Sequence, residues 1–552
     1  MELRTLHIAA CIALSSILQA QVSTGSQPYS MQHGLSLRDV PVVRSASFDA
    51  ASVAAEDAQR AALGKVPAYA RILPLGADLW NSGQWMELPG GDRLWRLHVV
   101  SEGALATELY FNQFHMPDNA SLHVYGEDGK MVLGGFTAYN NSEAEDFTTS
   151  LIPGQGCFLE YFEPAAAAGE GRLRVEGVGH AYRFVDEGSR AGDCEVDVNC
   201  SEGNNWHPQR DAVVRISIKD GGYLYWCSGA LVNNLAEDCK PYFLTAQHCY
   251  EGNSQSDLNQ WKFYFNYEKS NCGSGSSPSN RMTTGCYKRG ASEDGGGNSG
   301  SDFLLVEGKT AIPSSYNPYW AGWDATGTGS TGGVGIHHPQ GDRKKISTYA
   351  SATQSDNWYG PSGTHWRVSW AATANGHGVT EEGSSGSPLF NSSKRIIGTL
   401  TGGNSQCLTP TSGTGVDYYG KMSYHWQSNP SPANLRLKNF LDPQGTGVKS
   451  MDGSYDPCGL HVGVPEAAGI PPALTIYPNP ANGEASIGLP TDARDGVVEV
   501  RDLAGRLAVS EVSGGRATVR LRFTSLDAGT YLVRLMLDGR VVAQAPLIVL
   551  GR

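Results

Sequence analysis

Glu382-Gly-Ser-Ser385-Gly-Ser-Pro388-Leu-Phe390 sets a serine on a loop punctuated by Gly383 and Gly386, directly ahead of an apolar strand pattern. Glycines here let backbone N–H groups turn toward one point, as a negative charge developing on a substrate oxygen requires. A serine hydroxyl is a poor nucleophile at neutral pH. It needs a base to take its proton and an acid to orient that base and stabilise the imidazolium. Both residue types occur upstream. Thr245-Ala-Gln-His248-Cys249 follows the apolar run Tyr242-Phe-Leu244, so His248 stands at the mouth of a strand beside a cysteine able to pin it. Gly300-Ser-Asp302-Phe-Leu-Leu-Val306 puts a carboxylate at the head of a buried strand, where it needs a partner to offset desolvation. Singly, His248 is an ordinary histidine and Asp302 a strand-start cap. Together the three segments supply nucleophile, base and orienting acid.

The 552-residue chain is too long for one core and divides into several units. With 40% hydrophobic and 18% charged residues and 68 glycines, its composition favours an all-β protein with many turns. A net charge of −13 provides no basic stripe for phosphates, so nucleic acid is excluded as a partner and a cationic substrate is favoured. Met1-Glu-Leu-Arg4, the apolar run from Leu6 to Leu18 and small Ala20 predict a signal peptide over 1–20. Residues 21–190 read as a β-rich propeptide, with Leu94-Trp-Arg-Leu-His-Val-Val100 and Ser121-Leu-His-Val-Tyr125 as strands. A basic residue in a polar stretch, Arg190-Ala191, then marks a processing site ahead of Cys194.

In the next unit, 191–460, Val214, Ile216 and Ile218, the turn Asp220-Gly-Gly222 and Tyr223-Leu-Tyr-Trp226 predict a hairpin, and Trp261, Phe263, Phe265 and Tyr267 alternate likewise. A Pro/Ala/Gly-rich linker, 461–473, precedes a small final unit, 474–552. Nine of the 11 cysteines fall between Cys194 and Cys458, which in an exported segment predicts disulfides. No C-x-x-C pair occurs, and His337-His338 lacks a third ligand at useful spacing, so neither a metal nor a cofactor is expected.

The order His248, Asp302, Ser385 is that of chymotrypsin-like enzymes and the reverse of α/β-hydrolases; Ser387 also breaks the G-x-S-x-G of the latter. T-A-x-H-C, S-D-F-x-L-L and G-S-S-G-S-P resemble the lysyl endopeptidase branch of the trypsin-like serine proteases over roughly residues 191–455. That resemblance implies a double β-barrel in which His248 is the general base, Asp302 its orienter and Ser385 the nucleophile, with the N–H groups of Gly383 and Ser385 as oxyanion hole. It places Asp417 in a pocket for a basic substrate side chain, beside Thr401 and Gly402. Thr401 departs from the family's histidine, which weakens the basis for strict Lys preference and leaves room for Arg. Trp358 either lines the pocket or packs as an ordinary aromatic. The resemblance also implies bridges Cys194–Cys407, Cys200–Cys272 and Cys227–Cys249. Cys239 and Cys286 remain as a possible further bridge, with Cys458 as the odd thiol.

Two further features bear on function. Where trypsin-like zymogens carry Asp before the nucleophile to receive a new N-terminal ammonium, this chain has Ser384, so the propeptide is expected to cover the cleft or assist folding. Leu474-Thr-Ile-Tyr-Pro-Asn-Pro480, Val500-Arg-Asp-Leu-Ala-Gly-Arg506 and Leu526-Asp-Ala-Gly-Thr-Tyr-Leu532 resemble the β-sandwich sorting domains of type IX secretion, with a generic adhesion-like sandwich as the alternative. The expected protein is a secreted or surface endopeptidase that meets peptide substrates and an outer-membrane export machinery. The rival from another class is an adhesin on a degenerate protease scaffold.

Overall fold

The computed structural model describes residues 25–62, 66–183, 191–250, 252–277, 281–428, 432–459, 474–490, 496–502, 507–523, 526–537 and 540–550. The expected signal peptide, the linker and Arg190 of the expected processing site lie outside them. The chain forms two units, Met1–Gly459 and Leu460–Arg552.

In the first unit the expected N-terminal strands form. Arg93–Val100 lies antiparallel to Gly156–Glu163, with Trp95 opposite Tyr161 and Leu97 opposite Leu159. Their shared face meets Leu122, Val124 and Phe111 in one apolar core. The predicted hairpin is also present. Val213–Asp220 pairs with Tyr223–Leu231 across Gly221, whose φ of 55° is a conformation that side chains with a Cβ seldom adopt.

Strands Tyr242–Thr245, Lys262–Tyr264, Cys286–Ala291 and Leu304–Gly308 extend this hairpin into the first barrel, filled by Ile216, Phe243, Phe263 and Val306. The second barrel comes from a sheet holding Gly333–His337, Lys345–Tyr349, Pro388–Asn391, Ile396–Gly403, Asp417–Lys421 and His365–Val368. Leu389, Leu400 and Tyr419 fill one part of it. His248 and Asp302 sit at strand ends of the first barrel, and Ser385 and Asp417 belong to the second. The fold is thus all-β, a chymotrypsin-like double barrel following a β-rich N-terminal region.

Alternation around Trp261 predicts one wet face, yet Lys262 and Tyr264 are buried as well. The reason is that the sheet does not stop at the segment beginning at 191. Ala68–Asp78 pairs with Tyr223–Leu231, Arg71 opposite Tyr223 and Ala70 opposite Leu224, and carries Arg174–Ala181 and Ala106–Phe111 beyond it. Tyr69 stacks on Trp226 at 4.1 Å between centroids. Lys262 Nζ reaches Glu108 Oε2 at 2.5 Å with neither side chain exposed, and the hydroxyls of Tyr69 and Tyr110 donate to Glu108 Oε1 at 2.9 and 3.0 Å. Glu108→Ala strands a buried ammonium. It is expected to destabilise the full-length chain by about 3–5 kcal/mol, read by denaturant unfolding of Ser385→Ala protein with and without the second change; a shift under 1 kcal/mol would deny the pair its role in joining the two parts.

Among the described residues four disulfides are present: Cys194–Cys407, Cys200–Cys272, Cys227–Cys249 and Cys239–Cys458. The last corrects the expectation that left Cys239 to Cys286. The segment after Gly453 returns along Trp320, whose indole donates to Lys240 O at 3.0 Å, and so carries Cys458 to the Cys239 loop. Cys286 is a thiol buried in the first barrel.

The second unit is a small sandwich. Thr475–Tyr477, Glu484–Gly488 and Thr518–Arg522 form one sheet; Leu507–Val512, Val497–Arg501, Gly529–Leu537 and Arg540–Val549 form the other. Ala485, Ile487, Val519 and Leu521 from the first face Val498, Val500, Val533 and Leu535 in a common core, the period-two pattern of two-layer packing. Among the described residues no helix is long and apolar enough to cross a membrane.

Candidate active site

His248 lies in a short 3-10 turn, Gln247–Cys249, immediately after the Tyr242–Thr245 strand. The Cys227–Cys249 bridge ties that turn to the neighbouring strand. Both oxygens of Asp302 hold His248: Oδ1 accepts the backbone N–H at 2.9 Å and Oδ2 lies 2.7 Å from ring Nδ1. Asp302 is fully buried while part of the imidazole reaches solvent. Burial pushes the Asp302 carboxyl up, against the pull of His248.

Asp302 sits at φ 57°, a left-handed conformation costing on the order of 1–3 kcal/mol for a residue with a side chain. Asp294 Oδ2 accepts its N–H at 2.8 Å and its carbonyl accepts the Gln247 N–H at 3.2 Å, so the contorted strand entry is held from both ends.

The Ser385 loop is fixed by its backbone. The Ser385 carbonyl accepts from Ser228 N at 2.8 Å, the Gly383 carbonyl from Ser228 Oγ at 2.9 Å, and the Gly386 N–H donates to Leu400 O at 2.9 Å. The Ser385 carbonyl also lies 4.0 Å from Cys249 Sγ, so the loop sits against the bridge beside His248. Among the described residues no acceptor meets the N–H of Gly383 or Ser385. A Cβ on Gly386 would lie 2.1 Å from Thr245 Oγ1, which explains the glycine. Beneath the loop, both ring nitrogens of His337 are engaged, Nδ1 with Ser384 Oγ at 2.8 Å and Nε2 with Ser347 Oγ at 3.0 Å, making it a support.

Asp417 is buried in the second barrel. Its Oδ2 accepts from Trp370 Nε1 at 2.5 Å, Ser405 Oγ at 2.7 Å and Thr380 Oγ1 at 2.8 Å. Burial holds its carboxyl above the usual range, and these donors pull it back. Its Oδ1 faces Gly403, where a Cβ would come within 1.9 Å. Thr401 Oγ1 is 3.0 Å from His365 Nε2. Trp358 lies over Gly402, its ring 3.1 Å from where a Cβ would stand, and packs edge-on against Tyr418. Thr401, Trp358 and Asp302 all crowd Gly297, so the candidate pocket wall and the His248–Asp302 pair share one floor.

Sequence reasoning missed Asp294, Ser228, Trp370, Thr380 and Ser405. Each is a single donor or acceptor brought in from a separate loop, with no local pattern to announce it.

Residues 188–420 match the family model of the lysyl endopeptidase C-terminal domain, and residues 475–549 that of a secretion system C-terminal sorting domain. A lysyl endopeptidase of Pseudomonas aeruginosa is 29% identical over 368 residues, 62% of this chain and 75% of that protein. Among solved structures, an HtrA-type protease with a tripeptide overlaps 63% of this chain and 96% of its own at 15% identity and a TM-score of 0.28. The thermostable serine protease AL20 from an extremophilic microorganism overlaps 39% and 92% at 13% identity and a TM-score of 0.27.

Proposed function

We propose, from the match of residues 188–420 to the lysyl endopeptidase C-terminal domain and of residues 475–549 to a secretion system C-terminal sorting domain, that the chain is a secreted or surface-delivered serine endopeptidase cutting after basic residues, Lys before Arg. The observation that carries this is the double grip of Asp302 on His248. With Nδ1 turned to Asp302, Nε2 is the nitrogen left to take the Ser385 proton. Ser385 Oγ then attacks the scissile carbonyl, and the N–H groups of Gly383 and Ser385 receive the oxyanion. His248 returns the proton to the leaving amine, and water hydrolyses the acyl-enzyme by the same route. Asp417 supplies the charge opposite a Lys ammonium or Arg guanidinium, and the Trp358–Gly402 wall lines the approach.

A serine-directed fluorophosphonate and a pair of peptide anilides test this. Mature wild type is expected to take the label and to hydrolyse the Lys anilide faster than the Arg anilide, and Ser385→Ala to take no label. Absence of labelling in the wild type would leave a binding protein on a protease scaffold.

A further inference from the structure

Beneath the nucleophile loop, the enclosed carboxylate of Glu195 lies within electrostatic reach of the buried Asp417 and of the part-buried Glu381. Asp417 has its three side-chain donors and the Ser405 N–H. Glu381 accepts the Gly192 N–H at 2.8 Å on Oε1 and Gln340 Nε2 at 3.1 Å on Oε2. Neither oxygen of Glu195 meets a donor at hydrogen-bond distance among the described residues, and His337 Nε2 stands 3.8 Å away. Burial and the neighbouring carboxylates push the Glu195 carboxyl far up, outweighing Lys345 and the Val379 backbone. Lys345 is itself committed to Asp197 at 2.5 Å. The cluster is short of positive charge.

The start of the protease segment lies against it. Ala191 is buried, Gly192 O accepts the Glu195 N–H at 2.9 Å, and a Cβ on Gly192 would fall 2.7 Å from both Glu381 Oε1 and Cys407 Sγ. Glu381 in turn holds the loop that ends in Ser385. Its N–H donates to Ser384 Oγ at 3.2 Å and its carbonyl accepts the Ser384 N–H at 3.0 Å. Gln340, bonded to its carboxylate, also donates its backbone N–H to Glu382 O at 2.5 Å.

We propose that Glu381 is a positioning residue whose partner is made by maturation: hydrolysis that leaves Ala191 or Gly192 first places an α-ammonium beside Glu381 and Glu195, and the ion pair fixes the 381–386 loop. The inference rests on the endopeptidase reading of that loop. The cut adds one water across the peptide bond, leaving a carboxylate on the preceding segment and an ammonium on the protease. A neutral amide donor becomes a charged one, about twice as strong. Ser384, where the usual acceptor would stand, is occupied with His337; the acceptor is three residues earlier.

The titration has a definite sign. A free α-amino group titrates at about 7.7–8.0, and pairing raises that value in the folded enzyme. The contribution is fully present below the free value and lost as pH rises through the raised one. Gly192 N meets Glu381, and the charged or titratable groups around Glu381 and Glu195 are Glu382, Asp342, Asp417, Lys345 and His337. Burial holds the His337 imidazole well below its usual range, so it has no proton to lose in that alkaline window, and Lys345 is held by Asp197.

The test compares mature wild type, Glu381→Gln and Glu381→Asp on a Lys anilide across pH 6–9.5, with N-terminal sequencing of each. Wild type is expected to begin at Ala191 or Gly192 and to lose kcat on an alkaline limb. Glu381→Gln should start at the same residue with kcat down about tenfold, little change in KM and no such limb, and Glu381→Asp should restore part of both. Should Glu381→Gln fail to accumulate, glyoxylate transamination of the wild-type α-amino group should lower kcat similarly. A different first residue, a wild-type profile in Glu381→Gln, or full activity after transamination overturns the inference. Inactive mature wild type would instead overturn the endopeptidase reading.

Discussion

Ser385→Ala is expected to fold and be exported as the wild type is, yet to lose turnover of a Lys anilide by about 10⁶. The hydroxyl is not part of what holds the loop. Ser228 fastens it through the Ser385 and Gly383 carbonyls and Leu400 through the Gly386 N–H, all contacts to the main chain of the loop that alanine keeps. Thermal unfolding should therefore shift little. His248→Ala should lose a similar rate but also stability, since it leaves Oδ2 of the fully buried Asp302 without its partner at a cost of about 1–3 kcal/mol. The double variant should be no slower than either single, because base and nucleophile act as one unit. More than a few per cent activity in folded Ser385→Ala would remove Ser385 from the chemistry.

The difference between these two substitutions also marks what the sequence exposes. Ser385, His248 and Asp302 each lie in a short segment whose composition betrays a strand end or a glycine-rich loop, so local pattern suffices to propose them. The Val214–Trp226 hairpin is legible from alternation, and the double barrel through the family resemblance that the same segments carry. The surroundings of Asp417 are not. Trp370, Thr380 and Ser405 converge from separate loops, and no spacing rule links an indole to a carboxylate 47 residues away. Alternation fails at Lys262 and Tyr264 because it assumes a wet outer face, whereas strand Ala68–Asp78 carries the N-terminal region onto that sheet. Cysteine counting fails at Cys458 because its bridge to Cys239, 219 residues apart, depends on a late return of the chain past Trp320. Ser384 stands where the usual zymogen acceptor would be. The Glu381 contact with Gly192 becomes visible only when a bond across 189 residues is drawn.

Asp417→Asn should reduce kcat/KM for Lys and Arg anilides by about 30- to 3,000-fold, the range expected when one member of a buried charged pair is lost. The shape of the site should survive. Oδ2 already accepts from Trp370, Ser405 and Thr380, and an asparagine placing its oxygen there keeps those bonds while its amide turns toward Gly403 and gives up only the long Ser405 N–H bond to Oδ1 at 3.4 Å. What disappears is the charge on the side from which a cationic side chain would arrive. The amide also presents donors to a group that carries only donors. Lys should suffer more than Arg, because a compact ammonium loses its whole counter-charge at one point, whereas a guanidinium spreads charge over five N–H groups and can use neighbouring acceptors. The Lys-to-Arg ratio of kcat/KM should therefore fall in Asp417→Asn. Fluorophosphonate labelling should persist, since the reagent needs Ser385 and His248 and no basic side chain. Near wild-type cleavage by a labelled Asp417→Asn enzyme would place the determinant of basic specificity elsewhere, whereas loss of labelling with loss of cleavage would mean that Asp417 supports the Ser385 loop and not the substrate.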